Sequence, residues 1–116
     1  MHVEVTTDRN IEGGDELTEQ VGARVSSALA RFSAQITRVE VHLGDENADK
    51  SGGADKRCMV EARLAGAQPV AVTDHASSLD EACRGALQKL TSLLDSKLGR
   101  RDNRKGGATI REAEER

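Results

Sequence analysis

The sequence contains almost no aromatic residues, little cysteine and no long apolar run. Phe32 is the one aromatic residue among 116, and there is no Trp or Tyr. Proteins that bind single-stranded nucleic acid by base stacking need aromatic platforms, so the composition argues against this mode of binding. Two cysteines are too few for a disulfide scaffold. No apolar stretch approaches the roughly 20 residues that span a bilayer, so we expect no membrane partner.

The length and the N-terminal residues limit the organisation of the chain. Residues 1–5 have neither the basic nor the apolar segment of a secretory signal, so we expect a cytoplasmic protein. The chain is long enough for one hydrophobic core and too short for two. We therefore predict a single domain over residues 1–105 and a charged, disordered tail over residues 106–116.

Two periodicities of apolar residues predict the secondary structure. Alternation of apolar and polar residues indicates four strands, at about 2–6, 36–44, 56–64 and 70–72. Apolar residues recurring at three- and four-residue steps indicate helices at about 15–33 and 79–98. Ser78 is predicted to cap the second helix and Gly99 to end it.

The resulting order, β-α-β-β-β-α, predicts a fold. Each strand has one apolar and one polar face, so both helices must cover the same side of one sheet. The crossover through the first helix lets strands one and two lie parallel, and strands two to four form an antiparallel meander. We predict a two-layer α+β fold, a four-stranded mixed sheet with both helices packed on one face.

Recognisable catalytic motifs are absent. The sequence has no GxxxxGK[ST], GxSxG, HExxH or CxxC motif. The strand phases place His2 and His42 on the solvent side of the sheet and Cys58 and Cys83 in the core, where a thiol acts as a small apolar group. These four residues are thus not expected to form a metal site. We predict no enzyme, no small-molecule substrate, no metal and no cofactor.

The net charge of −3 conceals an asymmetry along the chain. Residues 1–55 carry five Lys and Arg against eleven Asp and Glu, whereas residues 84–105 carry seven against two. Local charge density decides phosphate binding, and folded RNA can be bound through its backbone without aromatic stacking. A solvated helix end is the alternative, because cations are favoured near a helix C-terminus. The candidate RNA-binding residues are Lys89, Lys97, Arg100, Arg101, Arg104 and Lys105, followed by Arg24, Arg31 and Arg84.

Short sequence features accompany the order of elements. Arg31-Phe32 closes the first helix, Ala82-Cys83 and Lys89-Leu90 lie in the second, and a basic run follows. In these features the chain resembles the ribosome hibernation-promoting factor / ribosome-associated inhibitor A (sigma-54 modulation protein) family, in its short form. The resemblance covers about residues 2–105.

The resemblance implies a function that composition does not. Family members bind rRNA of the small ribosomal subunit in the mRNA–tRNA channel and block translation sterically under stress. A short member would need a separate ribosome-dimerising factor to pair ribosomes, or would only block single ones. The chain departs from the family pattern at Asp80, Arg84 and Leu93, where members often carry Tyr, an acidic residue and Gln.

Two other classes of function stay open. A protein-interaction module that modulates a sigma factor or stress signalling would bind through apolar helix or sheet-edge residues, and its binding would survive nuclease treatment. A small hydrolase or transferase would need a nucleophile and a base, a constellation that the sequence does not reveal.

Overall fold

The structure is a computed structural model that describes residues 1–8, 11, 14–46 and 55–106, with side chains up to residue 98. The elements are β1 (His2–Thr7), α1 (Gly14–Ala28), a 3-10 turn (Ala30–Phe32), β2 (Ile36–Asp45), β3 (Lys56–Leu64), β4 (Val70–Ala76) and α2 (Leu79–Gly106). The predicted β-α-β-β-β-α order is confirmed. β4 extends to Ala76, beyond the segment 70–72 that the sequence predicted.

The four strands form one mixed sheet in the order β1-β2-β3-β4. β1 lies parallel to β2, with Val3 opposite Val39. β3 and β4 follow antiparallel, and Val60 lies between Val41 on β2 and Val72 on β4. This arrangement confirms the predicted parallel pair followed by a meander.

One face of this sheet is apolar and carries both helices. Val39, Val41 and Val60 are fully buried there, as β-branched residues on a covered pleated surface. They belong to one core with residues of the helical layer: Val21, Val25, Leu29, Phe32, Ala82, Ala86, Leu90, Leu94 and Leu98. The predicted two-layer α+β architecture, with both helices on one face, is confirmed.

The first helix is shorter than its periodicity predicted. α1 ends at Ala28, not at residue 33, and the chain tightens into the 3-10 turn. Within that turn the Phe32 N–H donates to the Leu29 carbonyl oxygen at 2.9 Å. Leu29 and Phe32 both stay buried. A 3-10 turn can keep apolar residues on the core side while it ends an α-helix, so the apolar spacing continued past the helix.

The second helix is longer than predicted, because α2 continues through Gly99 and ends at Gly106. A glycine inside a helix costs about 1 kcal/mol relative to alanine. The arginines and the lysine that follow Gly99 have straight side chains, which favour the helix. With 28 residues, α2 is about 42 Å long. The basic run that was expected to follow the helix is therefore part of it. Of the predicted tail, residues 107–116 lie outside the described residues.

The beginning of α2 is fixed by two contacts. The Ser78 hydroxyl accepts a hydrogen bond from the Glu81 N–H at 3.2 Å, as predicted for a capping residue. At Gly85, an added Cβ would lie 1.7 Å from the nearer Asp74 carboxylate oxygen, so glycine allows the helix to approach β4 closely. Asp74 lies opposite Cys58 in the sheet register. This part of α2 therefore crosses the sheet beside Cys58.

Candidate nucleic-acid interface

Three of the candidate cations lie along the line where α1 meets α2, which we call the helix seam: Arg24, Arg31 and Arg84, with Asp80 and Asp95. Arg24 of α1 forms an ion pair with Asp80. Arg84 reaches the same carboxylate from within α2, at 2.6 Å. The hydrogen bond from Arg24, followed by that from Arg84, lowers the pKa of Asp80. One carboxylate thus joins cations from both helices.

Arg31, in the 3-10 turn, is held on two sides. Its Nη1 and Nη2 donate to the two carboxylate oxygens of Asp95 at 2.5 and 3.0 Å, a bidentate arrangement. Its guanidinium carbon also lies 4.3 Å from the centroid of the Phe32 ring. The hydrogen bond lowers the pKa of Asp95 and raises that of Arg31. Both side chains are more than half exposed, so water screens the pair.

These ion pairs show how the two helices are aligned. Arg24 meets Asp80 at the start of α2, and Arg31, seven residues later, meets Asp95 farther along the same helix. α1 and α2 therefore run side by side in the same direction. The structure brings Arg24 and Arg31, which are seven residues apart in the chain, to a surface shared with Arg84.

The helical layer has a gradient of charge along its length. Both helices carry acidic residues in the first turn, Asp15 and Glu16 in α1 and Asp80 and Glu81 in α2. Carboxylates are favoured at helix N-termini, so this placement also stabilises the helices. Because the helices run in the same direction, their acidic first turns lie toward the same end of the helical layer. The layer is acidic where the helices begin and becomes basic toward the end of α2.

Lys89 lies on the opposite flank of α2, against β4. Its Nζ donates to the Thr73 carbonyl oxygen and to an Asp74 carboxylate oxygen, each at 3.0 Å. The hydrogen bond lowers the pKa of Asp74. Lys97 is half-buried, and its helical position is closer to Lys89 than to Arg84. No ion pair of Lys97 is found among the side chains that the structure describes.

The candidate cations of α2 therefore do not all converge on one groove. Arg84 is on the seam, whereas Lys89 is on the β4 flank. The other four candidates lie in the last turns of α2, and their side chains are outside the described residues: Arg100, Arg101, Arg104 and Lys105.

Four candidates contact carboxylates of their own chain: Arg24, Arg31, Arg84 and Lys89. From the charge pattern of the sequence we expected these cations to bind an external polyanion. That pattern did not reveal the carboxylates of the same chain with which they pair. The Asp80–Arg84 pair could have been found, because residues four apart face each other on a helix. Its two members are also positions at which the chain departs from the family pattern. Asp95 carried no such signal, since Arg31 is 64 residues away.

The open face of the sheet carries ion pairs as well. They join Arg38 to Glu4 and Glu40, Arg57 to Glu46, and Arg63 to Glu61. His42 lies on this face, as predicted, 3.7 Å from Glu40. Glutamates outnumber arginines in these pairs, so the open face is a poor surface for phosphate.

Cys58 and Cys83 are buried and not joined by a disulfide. Within residues 1–8, 11, 14–46 and 55–98, no group of three or more His, Cys, Asp or Glu is placed to hold a metal ion. In the same part of the chain, neither helix has the length and apolarity needed to cross a membrane.

Comparison with known families identifies the family of this chain. The sequence model of the family described as Sigma 54 modulation protein / S30EA ribosomal protein matches residues 4–102. The chain belongs to this family. The match confirms the resemblance seen in the sequence. The family consists of ribosome-associated factors and is not a known enzyme family.

Solved structures of similar proteins share the family fold. The Protein Y N-terminal domain of Thermus thermophilus superimposes with a TM-score of 0.64 and 21% identity, over 83% of this chain and 98% of that chain. A ribosomal subunit interface protein of Coxiella burnetii gives 0.63 and 12%, over 85% and 99%. At these identities the likeness establishes the fold alone. No curated protein matches the chain by sequence.

Proposed function

We propose that this protein binds rRNA of the small ribosomal subunit in the mRNA–tRNA channel and blocks translation sterically under stress. The observation that carries the proposal is the family match over residues 4–102, nearly the whole described domain. The name of the Coxiella neighbour, a ribosomal subunit interface protein, supports the same partner. The helical layer, with cations from both helices, is the surface that we assign to rRNA.

Binding through the helix seam requires an exchange of anions. Arg24, Arg31 and Arg84 already hold carboxylates, but the side chains of these ion pairs are 43% or more exposed. Pairs this exposed contribute little to stability, so an rRNA phosphate can replace the carboxylate at small cost. Guanidinium groups suit this exchange, since they donate two parallel hydrogen bonds to a phosphate as readily as to a carboxylate.

The charge gradient gives the binding an orientation. The basic end of the layer, formed by the last turns of α2, enters the rRNA first: Lys97, Arg100, Arg101, Arg104 and Lys105. The acidic first turns of both helices face away from it, because phosphate repels carboxylate. Lys89 contributes only if it leaves Asp74, so we rank it below the end of α2.

Inhibition needs only the volume of the bound domain. A rigid sheet covered by two helices occupies space that mRNA and tRNA would use, so neither a cofactor nor turnover is required. Pairing of ribosomes by a separate dimerising factor is compatible with this mechanism, and so is a block of single ribosomes.

Sucrose-gradient sedimentation of the purified protein with ribosomal subunits tests the proposal. The protein should travel with the small subunit, and excess tRNA should displace it. Travel with the large subunit only would refute the proposed partner, and small-subunit binding that tRNA does not affect would refute the proposed channel.

The same assay has a salt dependence that reports phosphate contacts. If six to nine form, affinity should fall by roughly three to five decades between about 50 and 200 mM salt, by analogy with duplex DNA; for RNA the slope can be shallower. Affinity that is insensitive to salt would exclude phosphate contacts as the main source of binding.

The second candidate function is modulation of a sigma factor through protein–protein contact. The family description includes sigma-54 modulation, and four of the candidate cations are neutralised within the chain, which favours a less anionic partner. Binding to cell extract that survives nuclease treatment and ignores the basic end of α2 would support this alternative.

A further inference from the structure

β4 is an edge of the sheet, and half of its backbone groups point away from the sheet. Within the described residues β4 hydrogen-bonds to β3 alone. Asp55 and Ala65, which flank β3, both form backbone hydrogen bonds with residues that flank β2. Because the direction of backbone groups alternates along a strand, Met59 also faces β2. Its register partner Thr73 therefore directs its N–H and C=O away from β3.

Lys89 of α2 covers the middle of this edge. Its Nζ donates to the Thr73 carbonyl oxygen and to an Asp74 carboxylate oxygen, each at 3.0 Å. Thr73 is the central residue of β4, which runs from Val70 to Ala76. A lysine at an edge strand hinders the addition of another strand, because its charge would have to be displaced or desolvated. Lys89 thus occupies the acceptor at which a strand centred on β4 would bind.

An open groove lies beside this edge, between β4 and α2. Its volume is about 570 Å³, and Val72 of the strand and Leu93 of the helix are its aliphatic walls. Leu93 is 45% exposed, unlike the buried Leu90 and Leu94 on either side of the same helical turn. Lys89 lines the groove one turn before Leu93. An exposed leucine next to an unpaired strand edge is typical of a surface to which a further strand can bind.

The length and side chains of β4 suit a second copy of the same strand. Two β4 strands can pair antiparallel about a two-fold axis at Thr73, and every residue of the strand then has a partner. In this register Ala71 lies opposite His75 and Val72 opposite Asp74, so no like charges face each other directly. The outward backbone groups at positions 71, 73 and 75 are those that such a pair would hydrogen-bond.

We propose that the β4 edge is an interface for a second copy of this chain and that Lys89 keeps this edge covered. In the dimer both lysines leave the Thr73 carbonyl oxygens, and the two sheets join into one. The two-fold axis is perpendicular to the sheet, so both helical layers stay on one side and the two grooves meet, with Leu93 of each copy facing the other. Each copy uses the same edge, so assembly ends at the dimer.

Sedimentation velocity of the free protein over a range of concentrations tests the role of Lys89. In Lys89→Met with Asp74→Asn the edge loses its ion pair, so the dimer dissociation constant should fall about tenfold to a hundredfold, since each of two copies no longer gives up a hydrogen bond. Arg84→Met with Asp80→Asn removes an exposed ion pair of the same kind from the same helix and should associate like wild type.

Three outcomes of this experiment would overturn the proposal. They are equal dissociation constants for the Lys89 variant and wild type, equal tightening in the two variants, and species larger than a dimer, which would mean that β4 pairs with another edge.

Cysteine cross-linking tests the register of the two strands. In Thr73→Cys the new residue faces its own counterpart, with Cα atoms about 5.5 Å apart, a distance that a disulfide can bridge. In Ala71→Cys the counterparts are about 14 Å apart, so this variant is the control. We expect mild oxidation to cross-link Thr73→Cys much faster than Ala71→Cys, and faster still when Lys89→Met and Asp74→Asn are added. The native Cys58 and Cys83 are buried.

Cross-linking also works in the otherwise wild-type chain, where it traps the minor dimer. The edge therefore stays testable if the variant without the ion pair folds poorly. Equal rates for Thr73→Cys and Ala71→Cys, or no cross-link in either, would overturn the proposed pairing. All these measurements use free protein without ribosomes, so their outcome is independent of the proposed function.

Discussion

Ion pairs cover both surfaces of this molecule, but their balance differs. On the open face of the sheet, four glutamates face three arginines: Glu4, Glu40, Glu46 and Glu61 with Arg38, Arg57 and Arg63. On the helix seam, three arginines share two aspartates. The number of arginines in these pairs is the same on each surface, but only on the seam do they outnumber the carboxylates. The comparison shows that the local surplus of charge, not the count of arginines, indicates which surface can bind phosphate.

The two surfaces also differ in what lies next to them. The seam continues into the last turns of α2, which carry four more cations and one aspartate. Along the open face, by contrast, each of the three arginines lies beside a glutamate among the described residues. In the proposed function, the cations at the end of α2 add to those of the seam.

The largest effect is expected at the end of α2. Changing Arg100, Arg101 and Arg104 together to Gln should strongly weaken co-sedimentation with the small subunit, because these side chains are assigned to rRNA phosphates. The slope of log affinity against log salt should become shallower by about 2 to 3. The matched control removes the same charge from the open face, at Arg38, Arg57 and Arg63, and should leave binding intact. Equal losses in the two variants would remove the distinction between the surfaces.

The β4 flank of α2 is tested by Gly85→Ala. In the wild-type chain the new methyl group displaces Asp74, so the variant should gain no stability despite the better helix propensity of alanine. In an Asp74→Ala background the same change should stabilise the fold by up to about 1 kcal/mol. Urea unfolding of the four proteins measures this coupling. A gain of equal size in both backgrounds would show that Asp74 does not limit the approach of α2.

Neutralising the aspartates of the seam should strengthen rRNA binding. In Asp80→Asn with Asp95→Asn the arginines keep their charge and lose the carboxylates that compete with phosphate. We expect small-subunit affinity to rise about two- to fivefold, the range typical of single exposed pairs. Glu4→Gln with Glu40→Gln on the open face is the control and should change little. Weaker binding in the seam variant would mean that the aspartates position the arginines for rRNA.

The smallest effect is the pH dependence of stability. Asp80 and Asp95 have pKa values in the fold below their ordinary value of 3.8. A lowered carboxyl pKa contributes stability that is present above the unfolded-state value and is lost as pH falls through the folded-state value. The thermal midpoint of wild type should therefore exceed that of Asp80→Asn with Asp95→Asn near neutral pH, and the difference should shrink below about pH 4. A difference that persists in stronger acid would mean that these pairs do not titrate as described.

Much of the fold was predictable because it depends on local periodicity. The alternation at Val39, Val41 and Val60 predicted the covered sheet face, and the helical stripe of Leu90 and Leu94 predicted the side of α2 that packs on it. The ends of helices were less predictable. Gly99 resembles a helix stop, but its penalty is small enough for the following residues to outweigh it.

The candidate site was predictable only in part. The positions of the cations on the exposed sides of the helices followed from spacing, and the alignment of α1 with α2 made Arg24 and Arg84 neighbours. The separation of Lys89 from the seam did not follow, because it depends on Asp74, which is contributed by another element. Neither did the pairing of Arg31 with Asp95.

By itself, the sequence determined the order of the elements, the face of the sheet that is covered, the family and the accumulation of positive charge near the end of α2, since each depends on the spacing or type of neighbouring residues. Only the tertiary structure decided which carboxylate each cation meets. Such contacts join residues far apart in the chain. Their existence depends on the register of the strands and on the line along which each helix crosses the sheet, and no local pattern encodes that line.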